Sequence, residues 1–173
     1  DRINRERRDL QASMVAEAEL MVGAAHATDA VGVALFEPSW HAGVVGLVAS
    51  KLKERLHRPV IAFAPASEDE TEVLRGSARS IPGFHIRDAL AAIDARQPGL
   101  VERFGGHAMA AGLSLRVEDF ERFAAAFDAV AREWLGERPL QPVLDTDGEL
   151  APEHLHLDLA RLLRHAAPWG QAF

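Results

Sequence analysis

Apolar positions along this chain switch between two spacings, and the switches mark its elements. Residues 2–22 carry Leu10, Met14 and Met21 at helical intervals with Arg and Glu between them, which predicts a long, mostly polar first helix of roughly 30 Å. Such a helix is either a connector between domains or a solvated surface helix. Val31 to Phe36 is a short apolar run that predicts a buried strand. From His41 to Leu56 the spacing turns helical, with Val44, Leu47, Val48, Leu52 and Leu56 facing inward. Pro59 to Phe63 predicts a second strand, so the unit reads strand–helix–strand, whose default form is a parallel pair with a right-handed crossover. Val73 to Ser80 predicts a third strand interrupted by Gly76, Ile86 to Ala95 a helix, and Gly112 to Val117 a further strand. Gly105-Gly106 requires a tight backbone feature.

Phe120, Phe123, Phe127, Val130 and Trp134 step by three and four over residues 118–135, with Gly136 as a stop signal. This periodicity reads as core packing rather than a ligand surface. Gln141 to Leu150 predicts a strand and residues 152–165 a helix opening on Pro152. The expected fold is α/β, a mixed sheet of about five strands flanked by helices and preceded by a long connector helix. Its expected divisions are residues 1–27, 28–136 and 137–173.

At 48% hydrophobic content the 173 residues can fill a core, and no apolar run reaches the length of a membrane span. Cysteine is absent, which removes disulfides, cysteine–zinc sites and thiol nucleophiles together and fits a reducing, cytoplasmic setting. The chain opens on Asp1 within a charged helical pattern, and reads as a piece of a longer protein. The net charge of −7 is unlike a nucleic-acid binder, but the excess acid is local. Residues 1–116 hold 14 Lys/Arg against 15 Asp/Glu, and residues 117–173 hold 5 against 11. Residues 75–103 hold Arg75, Arg79, Arg87, Arg96 and Arg103, so a confined anion site is allowed where a broad basic footprint is not.

Three clusters hold candidate chemistry. Trp40-His41-Ala42-Gly43-Val44-Val45-Gly46 lies where a strand gives way to a helix, a place where ligands collect, though a plain strand-to-helix turn reads the same way. In Arg75-Gly76-Ser77-Ala78-Arg79-Ser80, strand alternation puts Ser77 and Arg79 on one face, a hydroxyl beside a forked cationic donor, which suits a phosphate as well as it suits a solvated strand. In Phe104-Gly105-Gly106-His107-Ala108-Met109-Ala110-Ala111-Gly112, a histidine follows a glycine turn among small residues, and is either a donor to a phosphate or a structural residue. Phosphate-loop and dinucleotide fingerprints are missing. His154 and His156 stand two apart, unsuited to one helical metal face, and Asp145, Asp147 and Glu149 read as a solvated strand face rather than a metal site.

Those three segments, with Arg58-Pro59-Val60-Ile61-Ala62-Phe63 and Arg87-Asp88-Ala89-Leu90, resemble the DHH-associated domain of the RecJ family of single-stranded-DNA-specific exonucleases, in the DHH phosphoesterase superfamily. Asn4-Arg5-Glu6-Arg7-Arg8 looks like that family's connector helix, and Asp147-Gly148-Glu149-Leu150 with Pro168-Trp169-Gly170-Gln171 resembles the lead-in to its oligonucleotide-binding domain. The resemblance implies a 5′-to-3′ single-stranded-DNA exonuclease of recombination and repair, hydrolysing with manganese or magnesium held by a separate DHH domain. It implies that Ser77, Arg79 and Ser80 with Gly105, Gly106, His107 and Arg7 contact DNA phosphates, and that Trp40, His41 and Gly43 shape the cleft. The Asp and His metal motifs of the superfamily are absent, so no catalytic or metal residue is expected here, and the chain alone is expected to be inactive. Expected partners are single-stranded DNA and, through the longer protein, a single-stranded-DNA-binding protein or other repair factors, with no membrane. A small-oligonucleotide or cyclic-dinucleotide phosphodiesterase of the same superfamily is one alternative, separable by comparing long strands with dinucleotides. A non-catalytic α/β interaction module is the other, and predicts no effect of changing Arg79.

Overall fold

The computed structural model describes residues 8, 12–20, 29–67, 69–136, 140–141 and 148–167. Its centre is β2 (Val60–Pro65), whose first five residues are all fully buried, as an apolar run covered on both sides must be. β1 (Val33–Phe36) pairs with it in parallel, Val33 opposite Val60. The connection between them is α2 (Val45–Leu56), following α1 (residues 12–20). β3 (Val73–Arg79) lies antiparallel on the other edge of β2. The chain then crosses through α3 (Ile86–Arg96) to β4 (Arg103–Gly106) and returns as β5 (Ala110–Arg116), which inserts between β3 and β4. α4 (Phe120–Leu135) follows a single 3-10 turn, Val117–Asp119. The sheet is mixed, in the order β1-β2-β3-β5-β4.

Two cores lie on opposite faces of this sheet. Ile61, Phe63, Leu74, Ala78, Leu113 and Leu115 face α3 and α4. Phe63 meets Phe120 and Phe123 edge-on at ring distances of 5.7 and 5.6 Å, a geometry aromatic quadrupoles favour. The predicted aromatic stripe is therefore core, except that Trp134 at its end is 39% exposed. On the other face Val60, Ala62 and Ala64 meet α2 (Val45, Val48, Ala49, Leu52) and α1, whose Met14 and Ala18 are buried. The described part of the first helix is thus packed rather than a solvated rod. Leu47, expected inward, is 37% exposed because α2 packs on β2 and β3, leaving β5 and β4 on that face uncovered by it.

α3 and α4 are tied at the surface by Arg96, which donates two hydrogen bonds of 2.7 and 2.9 Å to Glu133. Those bonds, aided by the guanidinium charge, hold the Glu133 carboxyl below its ordinary range against a smaller opposing effect of burial. The tie is complete at neutral pH and is lost as pH falls through that lowered value.

β4 takes the place, in the strand count, of the strand predicted at 141–150. Residues 142–147 lie outside the described residues, and 148–150 are not strand. The chain divides into two compact units, residues 1–141 and 142–173. In the second, the helix predicted over 152–165 is broken. A 3-10 turn, Pro152–His154, precedes α5 (Leu157–Ala166), because His156 leaves the helix to cap it, its Nδ1 accepting from the Leu159 N–H at 3.2 Å. No described helix is long and apolar enough to cross a membrane.

Candidate nucleic-acid interface

Since α2 packs on β2 and β3, the same face of β5 and β4 is left open, with the exposed residues of β3 along its margin. Strand alternation decides what stands there. On β3 it is Arg75, Ser77 and Arg79; on β5 Ala110, Gly112 and Ser114; on β4 Arg103 and Gly105. The register sets these in rows across the strands: Arg79 beside Ala110, Ser77 beside Gly112 beside Gly105, and Arg75 beside Ser114 beside Arg103.

Arg79 lies along the margin of α2 and is fixed there. Its Nη1 donates to Ser77 Oγ at 3.0 Å and to the Ala78 carbonyl at 2.8 Å. Its Nε donates to Ser50 Oγ at 3.1 Å, and Ser50 in turn donates to the Gly46 carbonyl at 3.0 Å. Among the described residues Nη2 has no acceptor, Ser77 accepts without donating, and no carboxylate pairs with Arg79. The result is a half-buried cation with one free donor edge, beside a hydroxyl with its own proton to give. Its geometry is set before any ligand arrives, so an incoming anion need not order it. Gly46 is part of the arrangement. A side chain there would start 3.0 Å from Nη2 and 3.1 Å from Ser77 Oγ.

The neighbouring glycines differ in kind. Gly76 is required by the core, because a Cβ would stand 2.4 Å from the Phe63 ring. A Cβ on Gly105 would meet nothing within 4 Å, and one on Gly112 only the Gly76 carbonyl at 3.9 Å. Neither has a positive φ. Neither is demanded by the chain's own packing, so the row Gly105–Gly112–Ser77 is a shallow trough floored by backbone, open to close approach from outside.

Gly106 is set by conformation, with φ 145° and a would-be Cβ 2.4 Å from the Ala110 carbonyl oxygen. It turns the chain into the β4–β5 hairpin, where the His107 N–H donates to that same carbonyl at 2.8 Å. The hairpin tip is pinned twice more, by Ser80 N–H to Met109 O at 2.9 Å and Ile86 N–H to Ala108 O at 3.0 Å. His107 is exposed, at the Arg79 end of the sheet. Ser80 needs correcting as a surface contact. It is 1% exposed, and its hydroxyl donates to the Phe84 carbonyl at 2.6 Å, so it braces the turn that holds the hairpin. Arg7 lies outside the described residues.

Trp40, His41 and Gly43 stand apart from this group. Trp40 is 3% exposed, with its indole N–H donating to Glu17 of α1 at 2.9 Å. His41 Nδ1 accepts from the Gly43 N–H at 3.0 Å in the turn before α2. With Pro65, Thr71 and Arg75 they line an open hollow of about 820 Å³ at the opposite end of β3. Among the described residues no three His, Asp or Glu side chains converge as metal ligands, and Asp145 and Asp147 lie outside those residues. Sequence alone set Gly46 in the Trp40–Gly46 turn but did not bring it or Ser50 to Arg79, because those links span 29 residues or more and have no local signal.

Known proteins resemble this chain in sequence and fold. The single-stranded-DNA-specific exonuclease RecJ of Dickeya dadantii is 49% identical and that of Escherichia coli 46% identical, each over all of this chain and 30% of its own length. The chain therefore spans about 30% of these relatives. A crystal structure of Thermus thermophilus RecJ in complex with Mn2+ matches 98% of the chain and 23% of its own, at TM-score 0.75 and 28% identity. The DHHA1 domain profile covers residues 28–133, which take in the whole sheet, the Arg79 cluster and the glycine hairpin, and the chain belongs to the DHHA1 domain family.

Proposed function

We propose that this chain is the strand-holding part of a 5′-to-3′ single-stranded-DNA exonuclease of recombination and repair, working in the cytoplasm. The observation that carries the reading is Arg79, fixed by Ser50, Ser77 and the Ala78 carbonyl, with a free donor edge and no carboxylate partner among the described residues, above a trough that their packing does not explain. Arg79 Nη2 and the Ser77 hydroxyl hold a DNA phosphate, one supplying charge and the other an adjustable donor. The backbone of Gly105 and Gly112 lets the strand lie close. His107 offers a further donor at the same end, and Arg7, which lies outside the described residues, is proposed as another phosphate contact.

Hydrolysis is assigned to parts of the longer relatives that this chain does not span. Mn2+ or Mg2+ would be held there, and the residues described here do not form such a site. Single-stranded DNA is the proposed substrate, and a single-stranded-DNA-binding protein a proposed partner of the longer protein. The purified chain is expected not to degrade single-stranded DNA with manganese; degradation would overturn this division of labour.

The test of the phosphate grip is a fluorescence-anisotropy titration of 5′-phosphorylated single-stranded DNA at low salt. Weak, salt-sensitive binding is expected, and Arg79→Ala should reduce it about tenfold or more, as loss of a charged hydrogen bond does. Equal binding by the variant would favour the interaction-module alternative.

Gly46→Ala separates binding from folding. Alanine suits a helix better than glycine by about 0.5–1 kcal/mol, while its methyl would displace the Arg79 guanidinium by a few tenths of an ångström. The expected result is an unchanged or higher Tm together with several-fold weaker DNA binding. A fall in both would show that the site cannot relax around the methyl.

A further inference from the structure

We propose that Arg75, Ser114 and Arg103 form a second phosphate contact, which holds the backbone of the same single strand beyond the Arg79 grip. The proposal rests on the functional reading above and extends it to residues that reading does not use. The three side chains share one row across β3, β5 and β4, and with Gly105 and Gly112 they line a shallow depression of about 420 Å³. Arg75 stands four residues from Arg79 on the same face of β3, about 13 Å away at strand rise. Arg79 is pinned toward α2 and cannot turn to this row.

Charge singles the row out. The chain is acidic overall, and it pairs Arg55, Arg96, Arg116, Arg122, Arg132 and Arg161 with carboxylates. Arg75 and Arg103 enter no ion pair among the described residues, although both are exposed on a sheet whose cross-strand neighbours are usually matched in charge. Arg8, Lys53, Arg87 and Arg164 likewise enter no ion pair among the described residues, but each stands on a helix rather than on the open sheet face. Two cations flank a serine hydroxyl, with the glycine row between them and the first grip. That spacing fits a chain of phosphates better than a single terminal one, because the two contacts are too far apart to share one group. A strand laid from Arg79 across the trough would bring its later phosphates onto this row.

The test is a low-salt titration of the chain with a 5′-phosphorylated dinucleotide and a 5′-phosphorylated dodecanucleotide, comparing wild type, Arg79→Ala and Arg75→Ala/Arg103→Ala. Both arginines are exposed, and far-ultraviolet circular dichroism confirms the fold of each variant. The double variant is expected to bind the dodecanucleotide at least tenfold more weakly and the dinucleotide unchanged. Its salt slope should fall by about 0.7 for each phosphate contact removed. Arg79→Ala is expected to weaken both ligands. Unchanged dodecanucleotide affinity in the double variant overturns the proposal while leaving the Arg79 reading intact, and would assign the row to an acidic protein surface. Equal losses on both ligands overturn it by merging the two contacts into one. If Arg79→Ala weakens neither ligand, or wild type binds neither, the reading beneath fails and takes this proposal with it.

Discussion

Phe63→Ala is expected to destabilise the protein by about 3–5 kcal/mol, the cost of truncating a fully buried aromatic ring. Phe63 lies on the central strand, is 0% exposed, and meets Phe120 and Phe123 edge-on. Its ring also occupies the space that Gly76 leaves empty on β3, so the void left by alanine opens beneath the strand carrying Ser77 and Arg79. Urea unfolding would measure the loss, and a change below about 1 kcal/mol would contradict the packing described. A second substitution tests the contact itself. Gly76→Ala alone should cost about 1–3 kcal/mol by overpacking. In the Phe63→Ala background the ring contacts are gone and only the Leu113 Cδ2 methyl, 2.7 Å away, must shift, so the same methyl should cost less and the double variant should lose less than the sum of the two single losses.

The elements that periodicity marked well are those whose burial is one-sided or complete. α4 was legible because its phenylalanines repeat every three and four residues against a single core, and β2 because an unbroken apolar run is covered on both faces. β4 was not, for a physical reason. It is a four-residue edge strand of Arg, Phe and two glycines, with only Phe104 partly buried, so neither alternation nor propensity distinguishes it from a turn. Strand order was equally invisible. Nothing near residues 103–116 tells that β5, not β4, pairs with β3; the match of Leu113 and Leu115 to the α3–α4 core across Gly76 and Leu74 decides it.

The site was legible to the extent that it is local. Period two put Ser77 and Arg79 on one face, and the glycines announced a backbone feature at 105–106. The same alternation sends Ser80 to the covered side, where its hydroxyl serves the Phe84 carbonyl. Arg75 and Arg103 were legible as members of one arginine-bearing stretch but not as one row, because only the β3–β5–β4 register joins them, and register is a tertiary property. Ser50 falls within the helical stretch His41–Leu56, with no local sign of a role at the site. Its contact with Arg79 depends on where α2 crosses the sheet.

Gly106→Ala and Gly105→Ala, one residue apart, are expected to give opposite phenotypes. At Gly106 the backbone has φ 145°, and an added Cβ would stand 2.4 Å from the Ala110 carbonyl oxygen and 2.5 Å from Ala111 Cα. Both are backbone atoms of the paired strand, so relief requires the β4–β5 hairpin to open. Strained backbone costs about 1–3 kcal/mol and overpacking about as much again, so a loss of about 3 kcal/mol or more is expected in urea unfolding. DNA binding should fall with it, because the hairpin tip carries His107 and adjoins Arg79. At Gly105 a Cβ meets nothing within 4 Å, and the strand conformation is open to any residue. Stability should hold or rise slightly there, since glycine weakens a strand interior. The methyl nevertheless stands on the floor of the trough, and weaker binding of single-stranded DNA at undiminished Tm is the expected result. Undiminished binding by Gly105→Ala would show that the strand does not cross the glycine row. Weakened binding at full stability would show that the space above it is kept for something outside the chain.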